Sequence, residues 1–172
     1  MSKAKTGGLD AIKSHPLSDY DLRQLLGHNI TIRTNRQIEG ETDIDNLFDN
    51  EGRFIMLYTP DDPKFGHWVC LIRKAESIYY FDPYGDKPDL PDDLNGRPPV
   101  LTNLLKDKGL PVFYNTHPYQ KLKQDIATCG RWCAVRLHYK DKTENQFMNI
   151  VKKFKGSPDD FVAAFVYNFI KE

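Results

Sequence analysis

The chain has little cysteine for its length: Cys70, Cys129 and Cys133 are three among 172 residues, an odd number spread far apart. That excludes a disulfide framework and suits a compartment where thiols stay reduced. There is no net charge, 24 basic residues balancing 24 acidic ones, so no general electrostatic pull toward nucleic acid exists. No apolar run approaches the ~20 residues that span a bilayer, and no membrane partner is expected. The opening stretch, Met1 to Gly8, lacks the apolar segment of a signal peptide. Internal repeats and low-complexity tracts are also missing. What is present is 40% hydrophobic and 12% aromatic residues, which excludes intrinsic disorder and can fill one core.

Residues 1–14, small, polar and basic, read as a flexible arm, and 15–172 as a single domain. Ser18 with Asp21 three residues on reads as a helix cap, Leu17 can staple onto Leu22, and Gly27 ends that helix. Ile30-Thr31-Ile32 suggests a short strand, and Ile44, Leu47 and Phe48 a short helix. The runs 54–58, 68–72 and 78–81 are apolar at odd and even positions alike, so both faces of these strands should be covered. The first run meets turn residues at Pro60-Asp61-Asp62-Pro63. Residues 82–99, rich in Pro, Gly and Asp, predict a long loop. A helix with Leu101, Leu104 and Leu105 and a strand at 112–114 follow. Helices are then expected from about Cys129 to Tyr139, after the Thr143/Gln146 capping box, and from Ser157-Pro158 onward with an apolar face that includes Phe169 and Ile170. The fold class is α+β, a central, mostly antiparallel sheet packed between helices.

Strands 68–73 and 78–81 are joined by four small or polar residues, Lys74-Ala75-Glu76-Ser77, and predict an antiparallel hairpin. Pairing Arg73 with Ser77 or Glu76 sets His67 opposite Pro83 or Asp82, bringing imidazole and carboxylate together at the open end. Thr128-Cys129-Gly130 looks like a loop entering a helix. There a thiol feels the positive end of the backbone dipole, and its thiolate is favoured. Gly130 would leave room for a substrate backbone and its hydrogen bonds. Taken singly, His67 reads as a structural or surface histidine, Asp82 as a strand-ending turn residue and Cys129 as a small buried hydrophobe. Cys70 and Cys133 read as core, and Cys129-x-x-x-Cys133 without a second ligand pair is a poor zinc site, so no metal is expected.

In chain order, Gly66-His67-Trp68, Phe81-Asp82-Pro83-Tyr84-Gly85, Gln120 or Gln124, and Thr128-Cys129-Gly130 resemble the adenain/ubiquitin-like-protease superfamily of cysteine peptidases. The flavour is that of virus-encoded, adenovirus-type maturation proteases. The resemblance covers roughly residues 54–139. It implies the papain-like or adenain-like architecture, with Cys129 as nucleophile, His67 as general base and acid, Asp82 as its orienting carboxylate, and Trp68 packed at the cleft. It also implies a glutamine in the oxyanion hole. Gln124 lies nearer to Cys129 than the family spacing and Gln120 farther. We take Gln120, which directly follows the segment 112–119 that carries the preceding strand, as the family places its glutamine, with Gln124 as its rival.

The implied activity is a cysteine endopeptidase of viral type, cleaving capsid or core precursor proteins after small, Gly-rich residues. It would act in the host cytoplasm or nucleus, or packaged in the virion. Its partners would be protein substrates such as precursor polyproteins. An activating peptide or DNA is known in such enzymes, but the neutral chain gives no support for one and no cofactor is required by the sequence. Two other readings stay open: a deconjugating protease for ubiquitin-like proteins, and a binding module that kept the fold and lost turnover.

Overall fold

The structure, a computed structural model, describes residues 2–59, 66–123 and 126–170. The order of elements is α1 (Ser2–Ser14), α2 (Asp19–Leu26), β1 (Thr31–Thr34), a 3₁₀ turn (Ile44–Leu47), β2 (Arg53–Tyr58), β3 (His67–Arg73), β4 (Ile78–Phe81), α3 (Leu90–Leu94), α4 (Val100–Lys108), β5 (Val112–Tyr114), α5 (Cys129–His138), α6 (Glu144–Lys152) and α7 (Pro158–Ile170). The five strands form one sheet in the order β1-β2-β3-β4-β5. Its centre, β2-β3-β4, is antiparallel, while both edge strands run parallel to their neighbours. The α+β expectation holds, with a mixed sheet.

Side-chain alternation sorts the apolar runs onto two faces. Ile55, Trp68, Cys70, Ile72 and Phe81 face a core completed by α5, with Leu22 of α2, Phe147 and Val151 of α6 and Val162 and Val166 of α7. Phe54, Met56, Tyr58, Val69, Leu71 and Tyr80 face the opposite way, against Ile44, Leu47 and Leu101, Leu104 and Leu105 of α4. Both sides of the central strands are therefore covered. Helix α5 lies on β3 and is buried from Cys129 to Leu137.

The local signals place the ends of elements well. Ser18 and Asp21 form a capping box on α2, Thr143 and Gln146 another on α6, and Ser157 Oγ accepts from the Asp160 N–H at the start of α7. Gly27 and Gly109 close α2 and α4 with positive φ. The residues Pro60-Asp61-Asp62-Pro63 lie outside the described residues, as do the side chains of Phe169 and Ile170.

Residues 2–14, expected as a flexible arm, are helical. Leu9, Ile12 and Lys13 are half-buried along one side, Lys13 Nζ lies 2.9 Å from an Asp160 carboxylate oxygen, and the Lys13 carbonyl accepts the Ala127 N–H at 2.6 Å. Two apolar positions are too few to register as a stripe in sequence. The anchoring comes from α7 and the segment before α5, which are distant in the chain.

Candidate active site

The hairpin that carries His67 and Asp82 has a different register from the expected one. Arg73 pairs with Ile78, and the ladder runs to Cys70 opposite Phe81. All four residues Lys74–Ser77 are turn, closed by the Lys74 N–H on the Ser77 carbonyl at 2.9 Å. Continued past its last pair, this register sets Tyr84 across from His67 and Asp82 one diagonal step away, a separation that side chains still bridge. The two rings stack, with centroids 4.6 Å apart and planes at 19°, and His67 Nε2 lies 2.8 Å from Asp82 Oδ1.

Asp82 is almost completely buried, 1% exposed. Its Oδ1 also accepts the Tyr84 N–H at 2.7 Å. Its own N–H donates to Asn115 Oδ1 at 2.9 Å, and its carbonyl accepts from Asn115 Nδ2 at 2.6 Å. The turn that follows is held against the 115–120 segment. Gly85 has φ +75°, and a Cβ there would come within 2.7 Å of the Thr116 carbonyl oxygen. The Pro83 carbonyl accepts from both the Tyr119 and the Gln120 N–H groups, at 2.8 and 2.9 Å.

That last pair of bonds brings Gln120 to the site. The residue is buried, and its Nε2 donates to Tyr84 Oη at 3.2 Å and to the Ile126 carbonyl at 3.4 Å. Its Oε1 has no hydrogen-bond partner among the described residues. Gln124, the rival, lies outside the described residues.

Cys129 opens α5 directly after its N-cap, Thr128. The Thr128 hydroxyl is turned to Asp159, which is 3% exposed and gathers three donors. Oδ1 accepts from Thr128 Oγ1 at 2.6 Å and from Trp132 Nε1 at 3.0 Å, and Oδ2 accepts the Lys121 N–H at 3.0 Å. One carboxylate thus secures the end of α5 that bears Cys129 and the chain beside Gln120. In sequence Asp159 reads only as an acidic first-turn residue of α7.

The Cys129 thiol and the His67 imidazole interact side chain to side chain, and each shifts the titration of the other. Burial alone would hold the imidazole neutral and the thiol protonated. For His67 the bonds to Asp82 and Cys129, with their charges, outweigh burial and push its pKa up to about 10. For Cys129 burial is likewise outweighed, by the His67 bond and charge and by the Trp68 and Gly130 N–H groups, and the thiol is held below its ordinary value. Each side chain favours the charged form of the other, thiolate with imidazolium, while His67 Nε2 is committed to Asp82. Such a pair can attack an acyl carbon and return a proton to the leaving group.

Trp68 is buried, donates Nε1 to the Leu17 carbonyl at 3.1 Å and covers Gly130. A Cβ on Gly130 would lie 3.2 Å from Leu17 Cβ and from Trp68 Cδ1. The space expected for a substrate backbone is filled by these two side chains, so Gly130 serves packing. A groove of about 660 Å³ includes Gly66, Trp68, Leu57 and Arg33 in its walls. A second, of about 830 Å³, is lined by Tyr84, Asp86, Gln120, Leu122 and Ile126. Cys70 and Cys133 are fully buried, and the Cys70 thiol points at the Cys133 carbonyl, 3.9 Å away. Among the described residues no cluster of His, Cys, Asp and Glu is arranged to hold a metal ion, and no helix is long and apolar enough to cross a membrane.

The sequence reading thus named His67, Asp82, Cys129, Gln120 and Trp68, which the fold brings into one region. It missed Tyr84, Asn115 and Asp159. A correct hairpin register would have pointed to Tyr84; nothing local marks Asn115 or Asp159.

No family model matches the chain. An uncharacterized protein of the Sputnik virophage, V9, is 30% identical over 160 residues, covering 85% of this chain and 91% of that protein. Among solved structures, a protease of ASFV superposes with a TM-score of 0.51 at 13% identity, over 89% of this chain and 66% of that longer one. The Chlamydia trachomatis effector Cdu1, solved bound to ubiquitin, gives 0.49 at 15% identity, over 97% of this chain and 78% of that one. The fold is shared with the ASFV protease, and the chain belongs to the family of the virophage protein V9.

Proposed function

We propose that the protein is a cysteine endopeptidase of viral type, cutting precursor proteins of a particle after small, Gly-rich residues. The observation that carries this reading is the His67 imidazole held on Asp82 at 2.8 Å and interacting with Cys129, whose sulfur sits at the first turn of a buried helix. The virophage relative supports the viral setting.

In this reading the Cys129 thiolate attacks the scissile carbonyl carbon, forming the C–S bond as the carbonyl π electrons move to oxygen. Gln120 Nε2 turns from its long bonds to hold that oxyanion. As the C–N bond breaks, the His67 imidazolium gives its proton to the departing amine. The neutral imidazole then takes a proton from water, whose oxygen attacks the thioester. Collapse releases the carboxylic acid, and the sulfur leaves as thiolate beside a recharged imidazolium. Asp82 holds one tautomer throughout and stabilises the charged ring. Substrate lies extended across Cys129, from the groove beside Trp68 to the one beside Gln120.

The test is incubation of the protein, and of its Cys129→Ala form, with candidate precursor proteins and with C-terminal fluorogenic derivatives of ubiquitin-like proteins. New N-termini after Gly-rich sequences, absent with Cys129→Ala, are the expected outcome. Release of fluorophore from the ubiquitin-like derivatives alone would make the protein a deconjugating enzyme. No Cys129-dependent cleavage of either kind would leave a binding module.

A further inference from the structure

One residue outside the reading above touches three of its members. Tyr84 donates its backbone N–H to Asp82 Oδ1, lays its ring on the His67 imidazole and accepts from Gln120 Nε2 through its hydroxyl. We propose that Tyr84 is a positioning residue that locks the imidazole plane and aims the Gln120 amide, so that nucleophile activation and oxyanion binding share one support. The proposal rests on the peptidase reading and adds to it a link between its two halves.

Each contact is suited to the task. The Asp82 bond fixes only one nitrogen of His67, about which the ring could still pivot. A parallel aromatic surface at 4.6 Å restricts that rotation. The Gln120 amide needs its own restraint, because among the described residues its Oε1 is unpartnered and its Nε2 makes two bonds, at 3.2 and 3.4 Å. Of those two acceptors, the Tyr84 hydroxyl is the side chain. Burial, together with the negative charges of Cys129 and Asp82, pushes the Tyr84 hydroxyl up to about 12, so it stays protonated throughout the neutral range.

Two reagents separate the two halves. Iodoacetamide alkylates a thiolate without forming an oxyanion, whereas p-nitrophenyl acetate acylates it through one, releasing nitrophenolate as the thioester forms. Tyr84→Phe keeps the stacked ring and loses the hydroxyl. It should slow acylation of Cys129 roughly fivefold to tenfold, alkylation changing less than about twofold. Combined with Gln120→Ala it should add almost nothing to the loss caused by Gln120→Ala alone. Tyr84→Leu loses the ring, and the acid limb of its alkylation pH profile should move up by about half a unit or more. Undiminished acylation in Tyr84→Phe, or an equal fall in both reactions, would overturn the link to Gln120. An alkylation profile for Tyr84→Leu that superposes on that of the parent would overturn the hold on His67. If that variant does not fold, the Tyr84→Phe arm still decides the link to Gln120. A parent protein unreactive at Cys129 toward both reagents would instead remove the peptidase reading, and the role of Tyr84 with it.

Discussion

Asn115 grips Asp82 by its backbone: the side-chain amide accepts the Asp82 N–H at 2.9 Å and donates to the Asp82 carbonyl at 2.6 Å. Both residues are 1% exposed, so each lost bond strands a polar group away from water. The relationship orients the carboxylate that orients the imidazole.

Asn115→Ala is therefore expected to lower the unfolding free energy by about 2–4 kcal/mol, one desolvation penalty for each stranded backbone group. Urea denaturation followed by fluorescence measures it. Proteolysis of a Gly-rich peptide should fall further than the folded fraction does, because Asp82 is left free to shift.

The coupled charges at Cys129 and His67 set a pH window. With the thiol held below its ordinary value, alkylation by iodoacetamide should rise with its midpoint below pH 9 and stay high above it. Amide hydrolysis should instead fall again near pH 10, where His67 loses the proton the leaving amine needs. In His67→Ala burial acts unopposed by the imidazolium, and the alkylation midpoint should move upward by more than a unit.

Asp159→Ala removes an acceptor shared by Thr128, Trp132 and Lys121. A loss of about 3–5 kcal/mol is expected, since a buried charged acceptor with three donors is withdrawn. Asp159→Asn keeps one oxygen for the Thr128 and Trp132 donors and should cost less. Thermal unfolding of the two variants side by side distinguishes them.

Gly85→Ala forces a side chain into the left-handed region and against the Thr116 carbonyl. A destabilisation of about 2–4 kcal/mol is expected. Because the same turn positions the Gln120 backbone through Pro83, acylation by p-nitrophenyl acetate should fall more than alkylation by iodoacetamide.

The strands, the capped helices and the ordered His67, Asp82 and Cys129 were legible because each rests on a local signal: an apolar run, a capping pair, a motif. The hairpin register was not, since four residues between strands admit several pairings and only the ladder chooses Arg73 with Ile78. Helix α1 escaped for a related reason: Lys13 finds Asp160 across nearly the whole chain. Asn115 and Asp159 act on backbone groups of distant segments, and such contacts leave no spacing to read. Gln120 was named from its motif, and its anchoring by the Pro83 carbonyl leaves no signal in sequence.

The enclosure of α5 from Cys129 to Leu137 makes insertions there especially damaging. An α-helix advances about 100° for every residue. Adding or deleting a single residue within this stretch would swing the reactive atom around the axis while the remaining side chains lost their sockets. With no outward surface to absorb the error, the penalty would fall on folding and chemistry together. Substitution without change of length is the variation this helix can accommodate, and the connecting loops are where length can drift.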